Sequence, residues 1–510
     1  MKYEIGFLEN EHWWGGSAQY GNEMPIGKNS MYSHDFRYEA HNQTMPLFLS
    51  DKGRYIWSEE AFSAEVRDGK FVCEGGQIEV CDAGNSLKEA YLAAMEKHFP
   101  FKSKELPKEF FKTAQYNTWI EFLYNPTQEG VLRYAEDIIT NGFEPGILII
   151  DEGWHGRYGT WSFDKLKFPN PKAMTDKLHE LGFKVMLWVV PYVCADGEAF
   201  ARNIPARKDL FIRNKDGDVS IMQWWNGYSA VLNLYNPADA EFLDSQLGEL
   251  TEKYGIDGFK FDGGSYDAYS DKSFINGAPC CGYGAAELNR AWNEFGERYA
   301  FHEYKDTFKG GGKAVIQRQA DKRASWDRNG INALVPNALL QGIIGHPFIC
   351  PDMVYGGEWR CFEHGAVIDE ELFARSAQCS ALFPMMQFSL SPWRVLSKEY
   401  LDYVKSAAML HKELAEEILK LVSESEKNGE PIVRALEYEY PHSGFECVTD
   451  EFLLGKDILA APVVTKGARK RTVLFPEGKW RSADGAVYEG KTAQTVSADI
   501  DTLPWFRKIL

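Results

Sequence analysis

The chain has 510 residues and a formal net charge of −18, with no long low-complexity tract and no apolar run long enough to span a membrane. That length exceeds one ordinary domain, and the acidic balance argues against nucleic acid or an anionic bilayer as a partner. Small neutral substrates fit better, and the tryptophan clusters WWGG, DEGW and QWWNG offer flat rings for stacking on sugars, as they equally would for a large core.

In chain order, residues 1–106 read as short β-strands (FRYEA, PLFLS, RYIWS, FSAEV, KFVCE) separated by Gly, Asn and Asp turns, ending in a helix from Ser86 to His98. This predicts an N-terminal β-sandwich, with the charged segment KSKELPKEFFK as a linker after it. From Ala114 apolar strands alternate with helices. The strands are QYNTWIEF, ILIID, KVMLWVV, GFKFDG, AVIQRQ, HPFICPD and PMMQFS. The helices lie around Gln128–Asn141, Lys172–Leu181, Ala238–Tyr254, Ala285–Tyr299, Val335–Ile344 and Glu370–Leu382. Repeated strand and helix over this length predict an α/β fold, a (β/α)8 TIM barrel over residues 107–432 including its exit helix, with seven strands located and the eighth not. One long helix is expected from Lys398 to Ser425, stopped at NGEP. Residues 433–510 turn β again, predicting a small C-terminal β-sandwich.

The nine cysteines form no CxxC pair, and the vicinal Cys280 and Cys281 lack metal-ligand spacing. Reduced, packed thiols are expected. The N-terminus shows no basic region followed by an apolar segment, so the expectation is a cytoplasmic protein.

The chemistry centres on Tyr254–Ser265, YGIDGFKFDGGS. Side chains alternate along a strand, so Phe259 and Phe261 face one way while Lys260 and Asp262 face the other. Asp262 then stands at the carboxyl end of a barrel strand, where enzymes of this architecture keep their catalytic groups, with Lys260 beside it to hold it ionised. The alternative is a buried structural ion pair. Other polar residues fall at comparable strand ends: Trp119 and Glu121; Asp151, Glu152 and Trp154; Trp188; Arg318 and Asp321; Asp352; Gln387. Unpaired buried carboxylates cost several kcal/mol each, so such a ring of acids and tryptophans is hard to ascribe to packing. A carboxylate pair without metal-ligand histidines suits glycoside hydrolysis, and HExxH, P-loop and dinucleotide motifs are absent.

These segments resemble family 31 of the glycoside hydrolases. The family's K-x-D nucleophile motif is matched by Lys260-Phe261-Asp262. Its acid/base motif G-D-N-x-x-x-W is matched by Ala320-Asp321-Lys322-Arg323-Ala324-Ser325-Trp326. G-x-P-F is matched by Gly345–Phe348, and D-x-x-G-G by Asp352–Gly357 with one residue more between the acid and the glycine pair. The likeness runs from about Tyr116 to Trp480, and QWWNGYSAVLNLYNP, RQADKRASWDRNG, PDMVYGG and MMQFSLSPWR resemble the subgroup of the animal myogenesis-regulating glycosidase and its bacterial relatives. Two departures stand out. GDN reads ADK here, which leaves Asp327 as a rival acid/base that the spacing to Trp326 disfavours. The R-x-H that holds sugar hydroxyls in the family's α-glucosidases is replaced by Gln387-Phe388-Ser389.

The resemblance implies a retaining, exo-acting α-glycosidase with Asp262 as nucleophile and Asp321 as acid/base. The implied substrate-binding set is Asp151, Glu152, Trp154, Trp188, Trp225, Lys260, Arg318, Trp326, Asp352 and Gln387, with no metal and no organic cofactor. Asp151 and Glu152 would accept hydrogen bonds from ring hydroxyls, Arg318 and Asp352 would fix others, and Trp188 and Trp225 would form apolar walls, with core packing as the alternative for the two tryptophans and a structural ion pair as the alternative for Arg318. Because DEGW is similar to the DDGW stretch of family 36 α-galactosidases, a terminal α-galactoside is expected ahead of an α-glucoside. A transglycosylase using the same intermediate and a catalytically silent carbohydrate-binding protein are the other readings; oligomeric state is not legible.

Overall fold

In the computed structural model the described residues are 1–206, 210–363 and 365–509. The chain divides into two compact units. One comprises Met1–Glu39, Gln43–Ala114 and Gly310–Leu510, the other Ala40–Asn42 and Gln115–Lys309.

In the first unit, strands Lys2–Gly6, Lys70–Glu74, Ser63–Arg67 and Ser33–Asp35 make one antiparallel sheet, and Trp13–Ser17, Gln43–Ser50, Arg54–Ser58 and Ile78–Asp82 belong to a second. Alternating aromatics join them: Phe48 of the second sheet lies 5.0 Å, ring centre to ring centre, from Phe71 of the first, in the edge-on geometry aromatic pairs favour. The FRYEA strand does not form. Asp35 closes a turn by accepting from Arg37 Nε and Nη2 at 2.8 and 2.7 Å, and the strand ends at Asp35. The helix Leu87–His98 begins where expected because the Ser86 hydroxyl accepts from the Glu89 N–H, filling one of the donors a helix start leaves open.

The α/β region is a (β/α)8 barrel of eight short strands, with β-rich N-terminal and C-terminal regions. The strands are β1 (Gln115–Asn117), β2 (Ile147–Ile150), β3 (Lys184–Val189), β4 (Gly258–Phe261), β5 (Phe301–Tyr304), β6 (Gln317–Arg318), β7 (Ile349–Cys350) and β8 (Gln387–Phe388). Within the second unit β1 to β5 pair side by side in parallel. Within the first unit β6 pairs with β7 in parallel. The strand that the sequence did not reveal is β5, FHEY, whose mixture of polar and aromatic residues lacks the apolar run that marks the others. β1 is shorter than QYNTWIEF implies. Asn117 Oδ1 accepts from the Trp119 N–H at 2.8 Å, bending the chain into a short helix, Trp119–Phe122, so Trp119 and Glu121 leave the strand.

The expected single helix from Lys398 is two, Lys398–Glu413 and Ala415–Asn428, broken at Leu414 and ended at Gly429. The C-terminal region builds a six-stranded antiparallel sheet and a separate two-stranded one around Leu453, Leu459, Val473, Phe475, Trp480 and Phe506. No helix among the described residues is long and apolar enough to cross a membrane.

Candidate active site

In the second unit β4 ends at Phe261, and the Asp262 N–H donates to Val189 O of β3 at 2.9 Å. The chain then turns sharply through Gly263 and Gly264, both left-handed with φ of 60° and 62°, a conformation glycine takes without strain. Space demands glycine too: a Cβ on Gly263 would stand 2.8 Å from the Tyr192 ring and one on Gly264 2.4 Å from Trp292. The Asp262 carboxylate is held on both oxygens. Oδ1 accepts from the Gly263 N–H at 2.8 Å and Oδ2 from Trp188 Nε1 at 3.0 Å, while Lys305 Nζ sits 3.4 Å from Oδ1. Burial opposes ionisation, but Lys305, Lys260, the indole N–H and the backbone N–H outweigh it and hold this carboxyl well below the usual range.

Lys260 contributes to holding Asp262 ionised, as the sequence reading expects, but its direct ion pair is with another acid. Its ammonium donates to Asp151 Oδ2 at 2.6 Å, with both side chains almost fully buried. Asp151 follows directly on β2, two strands over from β4, so the long Lys260 side chain reaches past β3, where Trp188 is its register partner, with Glu303 its partner on β5. Asp151 Oδ1 accepts from the Glu152 N–H at 2.8 Å, so both of its oxygens already have protein donors. Trp188 is a hydrogen-bond donor to Asp262 as well as a buried ring stacked on His155, 6.0 Å away and 7° from parallel. Trp154 is fully buried, with Nε1 donating to Trp188 O at 2.9 Å; it supports Trp188 and has no surface to offer a ligand, contrary to the substrate-binding role expected of it.

Glu152 occupies a different environment from its neighbour. Tyr158 Oη donates to its Oε1 at 2.6 Å, and Asn226 Nδ2 donates to the same oxygen. Burial, with Asp151 and Asp262 nearby, pushes its carboxyl up to about 8. Asn226 arrives on a β-hairpin that the sequence reading did not isolate. Strands Ile221–Trp224 and Gly227–Val231 pair so that Trp224 faces Gly227, leaving Trp225 and Asn226 at the tip, and Tyr192–Cys194 completes a three-stranded sheet. The Asn-Gly pair in QWWNG was the available signal. Trp225 is 56% exposed and 4.8 Å from the Trp224 ring, so its exposure rules out the core-packing alternative.

In the first unit Arg318, at the end of β6, ties two acids together. Its Nη1 donates to Asp321 Oδ1 at 3.0 Å and to Asp352 Oδ1 at 2.6 Å. Asp352 Oδ2 accepts from the Lys322 and Gly357 N–H groups at 2.5 and 2.7 Å. Burial, with Asp321 beside it, pushes Asp352 upward against the pull of Arg318 and Lys322. Gly357 has to be glycine, because a Cβ there would come within 2.9 Å of both Asp321 Oδ1 and Asp352 Oδ1; this is the physical content of the glycine pair that follows Asp352. Arg318 is fully buried and serves the two carboxylates, which favours its structural ion-pair reading over a contact to a sugar hydroxyl. Asp321 keeps its side chain 32% exposed. The rival Asp327 accepts from Ser325 Oγ at 3.0 Å and from the Asn329 N–H at 2.8 Å, closing its own exposed turn. Trp326 is pinned by Nε1 to Asp369 Oδ2 at 2.9 Å. Gln387 is fully buried, its Nε2 4.0 Å from Cys350 Sγ, so it too presents no surface to a ligand.

The fold and these carboxylate groups define a barrel enzyme class that keeps paired acids at strand ends. The chain belongs to glycosyl hydrolase family 31: the profile of the family 31 TIM-barrel domain matches residues 107–418, and that of the family 31 C-terminal domain matches residues 429–509. Among relatives, the myogenesis-regulating glycosidase of Mus musculus is 30% identical over 440 residues, 84% of this chain and 60% of that protein. Alpha-glucosidase 2 of Bacillus thermoamyloliquefaciens is 26% identical, over 75% of this chain and 50% of its own length. A family 31 dextranase of Flavobacterium johnsoniae, solved with glucose, superimposes with a TM-score of 0.85 at 20% identity, covering 99% of this chain and 66% of that one. The chain thus spans less than two thirds of the length of each of these relatives.

Proposed function

We propose that this chain is a retaining, exo-acting α-glycoside hydrolase with Asp262 as nucleophile and Asp321 as acid/base. The observation that carries the reading is the Asp262 carboxylate at the end of β4, oriented by Trp188 and Gly263 and kept ionised beside Lys305. In the first step an Asp262 oxygen bonds to the anomeric carbon while the bond from that carbon to the aglycone oxygen breaks, and the departing oxygen takes the proton of Asp321. In the second, water bonds to the same carbon, its proton passes to Asp321, and the electron pair of the ester bond returns to Asp262. Two inversions give net retention. Arg318, held between Asp321 and Asp352, fixes the orientation of the acid, and the half-exposed Trp225 ring offers a stacking face for the substrate. We also propose the three-part domain plan 1–106, 107–432 and 433–510, which the profile matches beginning at residues 107 and 429 support.

For the terminal sugar we propose an α-galactoside, supported by the paired acids of the DEGW stretch and the missing R-x-H. An α-glucoside is the second reading, favoured by the names of the glucosidase and dextranase relatives. The test is release of nitrophenol from α-linked aryl galactoside, glucoside, xyloside and N-acetylgalactosaminide. Cleavage of the galactoside ahead of the others supports the first reading and preference for the glucoside the second. Asp262→Asn should fold normally and lose turnover on every sugar. Silence of the parent chain on all four would return the case to a carbohydrate-binding protein.

A further inference from the structure

The register of the barrel gives Asp262 a neighbour that no motif names. Phe261 of β4 faces Tyr304 of β5, so the next residue on each strand, Asp262 and Lys305, emerge side by side at the carboxyl edge. The lysine of the K-x-D motif is engaged with Asp151 at 2.6 Å, whereas Lys305 Nζ approaches Asp262 Oδ1 at 3.4 Å, with 18% of its side chain exposed. Asp306, the next residue in the chain, also feels this ammonium. Asp267 is paired with His41 Nδ1 at 2.9 Å, and Asp306 Oδ1 accepts from the Asn42 N–H at 2.6 Å.

We propose that Lys305 is the positioning residue for Asp262, keeping the carboxylate ionised before attack and stabilising it as the departing group when the glycosyl-enzyme is hydrolysed. The inference rests on Asp262 being the nucleophile. When Asp262 bonds to the anomeric carbon its negative charge is consumed, so the ammonium gives no help to bond formation. When water displaces it the ester electron pair returns to Asp262 as a full charge 3.4 Å from Nζ, and an opposite charge at that distance stabilises the product carboxylate. Lys305 therefore favours the second step over the first. The charged and titratable groups on the elements packed around Asp262 are Lys305 and the buried Glu303 of β5, Lys260 on its own strand, Asp151 and Glu152 after β2, Tyr192 after β3, and Asp267 and Asp306. Removing Lys305 leaves the acids of this set unchanged and takes away the cation nearest the carboxylate.

The experiment compares the parent chain with Lys305→Met and Lys305→Arg on an activated aryl α-glycoside of whichever sugar is cleaved, with Lys305→Gln carrying the same test should the methionine variant not fold. Lys305→Met is expected to lower steady-state turnover on the order of tenfold, to show a nitrophenol burst as the glycosyl-enzyme accumulates, and to move the acidic limb of kcat/KM upward by about one pH unit. Lys305→Arg is expected to restore the limb and abolish the burst. An acidic limb that stays in place while methionine and arginine variants lose turnover alike would overturn the proposal, since a merely structural lysine would act that way. The nucleophile is checked separately by trapping the parent chain with a fluorinated glycosyl fluoride. A covalent label on a residue other than Asp262 would overturn the proposed function itself, whatever Lys305 does.

Discussion

Glu152→Gln should make the protein more stable in alkaline solution than the parent chain. Burial, with Asp151 and Asp262 close by, raises this carboxyl from 4.5 to about 8, so the folded chain holds its proton far more tightly than the unfolded one. A group of that kind contributes its full stability below about pH 4.5 and loses it as pH rises toward about 8. At about 1.4 kcal/mol for each tenfold change, the loss across the window approaches 5 kcal/mol at most. Glutamine keeps an oxygen to accept from Tyr158 and Asn226 and replaces the protonated oxygen with an uncharged amide. Parent and variant should therefore unfold at nearly the same temperature at about pH 5, and the variant should lead by on the order of 5 °C at about pH 8. Glu451, also pushed up to about 8 by burial, and Asp306, pushed up to about 6, slope the same way in both proteins, so only the difference between the two melting curves isolates Glu152. Tryptophan fluorescence during thermal scans at several pH values provides the assay. A difference that stays constant from about pH 5 to about pH 8 would mean that Glu152 is ionised in the folded chain and would refute the reasoning.

Two further substitutions test the two carboxylate groups, each on its own. Asp321→Asn should slow aryl glycosides with good leaving groups much less than glycosides with poor ones, because protonation of the departing oxygen matters less for the former; the same pattern from Asp327→Asn would move the acid/base to that residue. Lys260→Met removes the partner of a carboxylate almost wholly out of solvent and should destabilise the chain by about 3–5 kcal/mol, with Lys260→Met/Asp151→Asn recovering most of the loss. A thermal or urea unfolding curve reads both, and a single-variant cost under about 1 kcal/mol would show that Asp151 does not depend on Lys260.

Features that depend on neighbours along the chain were legible in the sequence alone. Apolar runs such as ILII and KVMLWV became barrel strands, and the Ser86 cap placed its helix start, because strand burial and capping are decided within a few residues. Asp262 at a strand end and the glycine pair behind it were legible for the same reason: turn geometry is local. The partners of these groups were not legible. Lys260 lies two residues from Asp262, yet its ammonium goes to Asp151, 109 residues away, at the end of a strand two places over in the sheet, a pairing that only the strand order creates. Lys305 was hidden because β5 has a mixed pattern with no apolar run, and Asn226 because only the hairpin brings it to Glu152. Trp154 and Gln387 read as ligand-facing from their place after or on a strand, and Arg318 as a sugar-binding cation, with a structural ion pair as the alternative. Tertiary packing buried all three, because the barrel has to seal its wide tryptophans and pair its charges before any surface is left for a substrate.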